Sequence, residues 1–221
     1  MRVVVSWSGG KDSCLACYKA MSDGLDVSWL FNAVTEDGQR SRSHGLSAAL
    51  LAAQAEAAGI PLVQVSISRG SYEAVFKETI NDLKQDGAEG MVFGDINLQE
   101  HKDWVERVCR EIGIEPFEPL WEIQPDEVVN EFISLGFETV IVSCKADALD
   151  KKYLGRYMDK ELVKELKGIG VCPCGENGEF HTFVVNGPIF KKKLEIVKSR
   201  QVFRKEYSDH WFLEIEEFKI S

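Results

Sequence analysis

Residues 3–13, Val-Val-Val-Ser-Trp-Ser-Gly-Gly-Lys-Asp-Ser, constrain the fold of this chain more tightly than any other stretch. The β-branched run Val3–Val5 reads as a strand that stops at Ser8-Gly9-Gly10, and Cys14, Leu15 and Tyr18 follow at the spacing of an apolar helix face. A strand that meets a helix through a glycine turn aims backbone N–H groups and the positive end of the helix at an anion. Gly9 and Gly10 tolerate positive φ and leave no Cβ between the backbone and a ligand. Lys11 supplies a mobile point charge, and Ser8 and Ser13 supply short hydroxyls. The anion that suits such a turn is a phosphate chain.

The spacing says which phosphate motif this is not. A Walker loop has a longer gap before its Gly-Lys pair, and a dinucleotide fingerprint needs Gly-x-Gly-x-x-Gly. Ser8-Gly9-Gly10-Lys11-Asp12-Ser13 instead resembles the PP-loop of ATP pyrophosphatases. Those enzymes cleave ATP between its α and β phosphates, adenylate a substrate oxygen and release pyrophosphate.

At 221 residues, with 44% hydrophobic and 28% charged side chains, the chain has the means to bury a core as a soluble globular protein. No apolar run approaches the roughly 20 residues that span a bilayer, and Met1-Arg2 leads straight into the first strand. A cytoplasmic protein with no membrane partner is expected, its six scattered cysteines reduced. A net charge of −10 argues against a nucleic-acid partner. Lys191, Lys192, Lys193, Lys198, Arg200, Arg204 and Lys205 form a local exception, countered by Glu195 and Glu206. Alternation through Leu194, Ile196 and Val202 makes that stretch the solvated face of a strand pair, with a docking patch for an acidic macromolecule as the alternative.

Short apolar strands alternate with helical patterns over the first half, the signature of a parallel sheet with crossover helices. Strands are expected at Val3–Trp7, Val27–Val34, Leu62–Ile67, Gly90–Gly94 and, more weakly, Pro116–Leu120; helices at Asp12–Ser22, Gly45–Ala58, Tyr72–Gln85 and Glu100–Ile112. The fold class is therefore α/β, a doubly wound parallel five-stranded sheet over residues 1–122, followed by a smaller α/β unit over 123–221. In the latter, Pro125-Asp126 opens a helix to about Leu135, and strands are expected at Thr139–Cys144, Phe180–Val185, Leu194–Arg204 and Trp211–Phe218. Lys151–Gly178 reads as a long charged, glycine-rich connection.

Open α/β sheets bind ligands beyond the carboxyl ends of their strands. Asp95, His44 and the end of the second strand at Val34 are expected at that edge, with Ser43 as a helix cap. Trp104 and Cys14 read as core, His210 as surface, and His101 stays open between cap and site. Outside the first turn the most informative string is Cys174-Gly175-Glu176-Asn177-Gly178-Glu179-Phe180-His181-Thr182, two glycines framing two carboxylates and an imidazole ahead of a strand. It reads as a shaped site, with a polar hairpin turn as the alternative. Cys172 and Cys174 beside Glu176 and His181, with Cys144 as a further donor, make a weaker zinc alternative.

The PP-loop, Gly94-Asp95-Ile96 with His101 and Trp104 downstream, Leu154-Gly155-Arg156 and the Gly-Glu-Asn-Gly-Glu-Phe string together resemble the diphthine–ammonia ligase family in the same order along the chain. Where that family usually has an acidic residue after the aromatic, this chain has His181, which is similar to a bacterial branch. The resemblance implies an ATP-pyrophosphatase fold joined to an acceptor unit, ATP and Mg²⁺ as cofactors, and an amidation. ATP activates the carboxylate of diphthine on elongation factor 2, and ammonia displaces AMP. A small-molecule carboxylate such as a corrinoid precursor is the alternative acceptor, and a non-catalytic ATP or AMP sensor the alternative class. By resemblance, Ser6, Ser8, Gly9, Gly10, Lys11, Asp12, Ser13, Val34, His44, Gly94 and Asp95 hold the nucleotide, with Asp12 the metal ligand. Arg156, Gly175, Glu176, Gly178, Glu179 and Thr182 hold the acceptor. Ammonia must lose a proton as it attacks, so Glu179, Glu176 or His181 is the expected base, Glu179 first. Free ammonia is the expected nitrogen donor, and a homodimer is an open expectation.

Overall fold

The computed structural model describes residues 1–42, 44–68, 70–205 and 209–221. Five parallel strands form the first sheet: β1 (Arg2–Ser6), β2 (Asp26–Val34), β3 (Leu62–Ser66), β4 (Gly90–Val92) and β5 (Glu115–Phe117), in the spatial order β3-β2-β1-β4-β5. After β1 the chain fills one flank through β2 and β3, then returns to place β4 on the other. The strand order thus reverses at β1, and a crevice opens beyond the ends of β1 and β4, where ligands bind in such sheets. The glycine turn and Gly94-Asp95 both lie there.

Crossover helices cover both faces, which is why Val3, Val4 and Val5 are all buried although they alternate in direction. Val3 and Val5 face α1 (Lys11–Ser22) and α2 (Ala48–Ala58); Val4 faces α3 (Tyr72–Gln85) and α4 (Gln99–Ile112). Cys14 and Cys17 are enclosed on the inner side of α1. α2 begins at Ala48 rather than at Gly45. The chain from Arg40 to Ser47 folds back on itself through bridges Val34–Ser41 and Arg40–Ser47, Gly45 takes φ +66°, and the Ser47 hydroxyl caps the helix by accepting from Leu50 N. Ser43, the expected cap, lies outside the described residues.

The second half builds a four-stranded antiparallel sheet in the order β7-β6-β9-β8, from β6 (Glu138–Lys145), β7 (Phe180–Asn186), β8 (Leu194–Lys205) and β9 (Asp209–Ile220), with α5 (Pro125–Ser134) ahead of it. The stretch expected to be a long connection contains α6 (Lys160–Gly168), capped by Asp159 and burying Leu162, Val163 and Leu166. One apolar cluster runs unbroken from Val3 and Leu15 to Val142, Phe183 and Leu213, so the two sheets share a core. The basic stretch sits on the β8–β9 ribbon, where Lys198 and Arg200 pair with Glu216 at 2.9 Å and Arg204 with Glu214 at 2.6 Å. Among the described residues, no helix is long and apolar enough to cross a membrane.

β7 is the seam between the halves. Val184 N donates to Gly9 O at 3.0 Å, and Lys11 N donates to the Thr182 hydroxyl at 3.1 Å. β7 therefore supplies the cap that the first helix lacks locally, since Gly10 has no side chain to do so.

Candidate functional site

Two cavities meet at the strand-order reversal. The first, about 340 Å³, is lined by Ser6, Ser8, Asp12 and Ser13 of the turn, Asn32 and Ala33 of β2, Arg42, Tyr72, and Gly94-Asp95. The second, about 220 Å³, is lined by Lys11, Asp12, His44, Gly94, Asp95, His101, Gly175, Glu176, Gly178, His181 and Thr182. Asp12, Gly94 and Asp95 border both. A Cβ on Gly94 would stand 2.9 Å from the Asp12 carbonyl carbon, so this shared wall is as thin as glycine permits.

Within the turn, Gly9 takes φ +77°, and Gly10 N donates to Ser8 Oγ at 3.3 Å. Ser13 Oγ donates to Gly10 O at 3.0 Å. Lys11 departs from its expected role as a mobile charge. It is buried, and its Nζ donates to Asp12 Oδ2 at 2.8 Å and to the carbonyl of Cys174. Burial alone would lower this ammonium, but Asp12 first, then Cys174 and Glu176, hold it above its ordinary value. It bolts the glycine turn to the Cys174 backbone while still facing the second cavity.

Asp12 Oδ1 is buried and has no hydrogen-bond partner among the described residues. An orphaned carboxylate oxygen beside a glycine turn at a helix N-terminus fits a hard cation. No group of three or more His, Cys, Asp or Glu gathers to hold a metal among the described residues, so such a cation would draw its remaining ligands from phosphate and water. The zinc alternative gains no support from the thiols. Cys144 and Cys174 are pushed up to about 12, chiefly by burial, and Cys174 Sγ donates to Pro125 O at 3.1 Å.

The glycine–glutamate string forms a tight turn whose two carboxylates do different work. Glu179 accepts from Cys172 N at 3.2 Å, Asn177 N at 3.0 Å and Asn177 Nδ2 at 2.9 Å. Burial acts to raise its pKa, but these bonds outweigh it and hold the carboxyl below its usual range. It does not line the cavity, so the residue expected first as the base is the anchor of the turn. Glu176 does line it. Burial pushes Glu176 up to about 7; Lys11 opposes this, and Asp12, Asp95 and Glu179 add to it. A carboxyl poised there can take and return a proton near neutral pH.

His181 stacks on His44 with ring centroids 4.5 Å apart. Burial, then Lys11 and His210, lower His181 to about 4, and burial with His181 and Lys11 takes His44 well below its ordinary value. Both shifts favour the neutral rings. His44 Nδ1 lies 3.2 Å from Thr182 O, an acceptor only, so Nδ1 carries the hydrogen and donates.

Glu179→Gln is expected to lower the unfolding free energy by about 1–3 kcal/mol, because an amide NH₂ then opposes backbone donors in a buried turn. The wild-type contribution is complete above the ordinary glutamate pKa and is lost as pH falls through the lowered native value, so the variant's deficit should shrink in acid. Urea unfolding at neutral and acid pH measures both.

Some expected residues stand elsewhere. Val34 is buried in the core, 3% exposed, and its neighbours Asn32 and Ala33 line the cavity instead. Arg156 lines neither cavity; its guanidinium pairs with Glu165 at 2.5 Å across α6. Trp104 is half-buried, packing on Phe76 at 5.0 Å while its Nε1 donates to Glu73 at 3.0 Å. His101 joins the second cavity, with Nδ1 2.8 Å from Asp95 Oδ1. His210, expected at the surface, is half-buried at the start of β9. Sequence reasoning missed Asn32, Arg42 and Tyr72. Asn32 carried a signal: it is the lone amide in an apolar strand, and it donates to Trp7 O at 2.8 Å and Ser41 Oγ at 3.2 Å.

The family models described as diphthamide synthase N-terminal domain and diphthamide synthase C-terminal domain match residues 1–116 and 124–220. The diphthine–ammonia ligases of Rattus norvegicus and Homo sapiens are each 30% identical to this chain, over 91% of it and 85% of the relative. That of Danio rerio is 31% identical over 89% of the chain and 86% of the relative. Among solved structures, a predicted subunit of tRNA methyltransferase from Methanocaldococcus jannaschii aligns at TM-score 0.46 and 17% identity over 87% of this chain and 99% of that one, too slight a likeness to argue from. With both domain models matched in order along one chain, and relatives aligned over most of their length, the protein belongs to the diphthamide synthase family.

Proposed function

We propose that this chain is an ATP-dependent ammonia ligase that adenylates the carboxylate of diphthine on elongation factor 2 and passes the acyl group to ammonia, releasing AMP and pyrophosphate. The observation that carries this proposal is the shared wall: Asp12, Gly94 and Asp95 border both cavities, so a nucleotide on the phosphate turn and a carboxylate in the glutamate-lined cavity meet there. The relatives compared above are named for diphthine, which favours it over a small-molecule carboxylate.

Nucleotide work falls to residues 1–122 and acceptor work to 123–221. Ser8, Ser13 and the N-terminal end of α1 hold the phosphates, and Lys11 stabilises charge on the departing pyrophosphate. Mg²⁺, held through Asp12 Oδ1, would neutralise charge on the phosphate oxygens. Glu176 takes the proton from ammonia as the C–N bond forms and AMP leaves. Lys11, the buried cation that lines the same cavity, disfavours ammonium there and so favours ammonia, and burial with Lys11 tips the stacked His44 and His181 toward their neutral forms.

The test is incubation with ATP, ¹⁵N-labelled ammonium and diphthine-bearing elongation factor 2. Equal release of AMP and pyrophosphate with a labelled amide on the acceptor is expected. ADP as product, or AMP release indifferent to the acceptor, would sink the proposal.

A further inference from the structure

Gln54 stands among leucines and alanines on α2, and its side chain is wholly enclosed, 0% exposed. A buried amide is tolerated only when its hydrogen bonds are made. Nε2 donates one hydrogen to Gly9 O at 2.9 Å and the other to Val184 O at 2.6 Å, while Oε1 accepts from Trp7 Nε1 at 3.0 Å. Gly9 O also accepts from Val184 N at 3.0 Å. The carbonyl of the Gly9–Gly10 peptide is therefore gripped twice, by Val184 N of β7 and by Gln54 of α2.

A trans peptide holds its N–H opposite its C=O. With the Gly9 carbonyl turned to β7, Gly10 N–H points the other way, to Ser8 Oγ, and Ser8 lines the first cavity. A peptide between two glycines has little steric resistance to flipping, and the flipped form would aim a carbonyl oxygen at the phosphates. We propose that Gln54 is a positioning residue for the phosphate turn: its amide fixes the Gly9–Gly10 peptide with the N–H toward the nucleotide's phosphates and the carbonyl away from them. This rests on the proposal above that the turn grips ATP.

Calorimetry on the full chain with ATP, pyrophosphate and adenosine tests it. Gln54→Met, which keeps the volume and removes all three bonds, is expected to bind ATP and pyrophosphate about 10–100-fold more weakly, with adenosine unchanged. Unchanged ATP and pyrophosphate affinities in the variant, or an equal loss for all three ligands, overturn the role of Gln54. A wild-type chain with no affinity for ATP overturns the ligase proposal and this one with it. Should Gln54→Met not fold, Gln54→Glu decides: it donates to a carbonyl only when protonated, so its pyrophosphate deficit against wild type should shrink as pH is lowered. A deficit that ignores pH, or both variants unfolded, makes Gln54 a core residue and nothing more.

Discussion

Replacing Glu176 by glutamine is expected to slow amide formation by about 10²–10⁴-fold, the usual worth of a positioned general base, while acceptor-dependent ATP–pyrophosphate exchange stays near wild type. The two steps part company because Glu176 lines the second cavity alone, whereas Ser6, Ser8 and Ser13 line only the first. In the wild type the carboxylate form is the active one. The rate at fixed free ammonia should therefore rise as pH climbs through about 7, where burial has pushed this carboxyl, and level off above it. Glu176→Gln should lose that inflection. A variant that kept both the inflection and the rate would move the base elsewhere in the cavity, His181 being next.

Lys11→Met should have the largest combined effect. Lys11 Nζ is shared between Asp12 and the Cys174 carbonyl in a buried setting, so its removal leaves one uncompensated carboxylate and one unpaired carbonyl. Breaking a buried pair is costly, and Asp12 keeps partial access to water, which places the expected loss of unfolding free energy at about 2–3 kcal/mol. Pyrophosphate release should fall by about 10³-fold, the scale of losing one electrostatic stabiliser of the leaving charge. A third reading separates catalysis from folding. Lys11 is the group that holds Glu176 down, so without it the pH inflection of residual amide formation should move upward. Urea unfolding, pyrophosphate release and the pH profile report the three effects separately.

The sheet was legible because its strands are short apolar runs punctuated by glycine and proline, and because a parallel sheet buries all three valines of β1. The phosphate turn was legible because its chemistry is local. Glu176 and Glu179 could not be told apart in the same way. They sit three positions apart in one turn, and it is the folded turn, with the Cys172 backbone and Asn177 both donating to Glu179, that decides which carboxylate is tied down. Arg156 was misplaced for a related reason: its partner Glu165 lies on α6, whose Leu162, Val163 and Leu166 spacing was hidden in a stretch rich in lysine and glycine. The burial of Lys11 had no local signal at all, since Cys174 and Thr182 reach it from the other end of the chain.

That reach has a consequence for synthesis. The first helix is capped by a hydroxyl 171 positions downstream, so a nascent chain emerging from the ribosome has no finished phosphate turn until the seventh strand follows it out. A truncated product ending before Thr182 keeps every residue of the glycine motif and lacks the brace that shapes it.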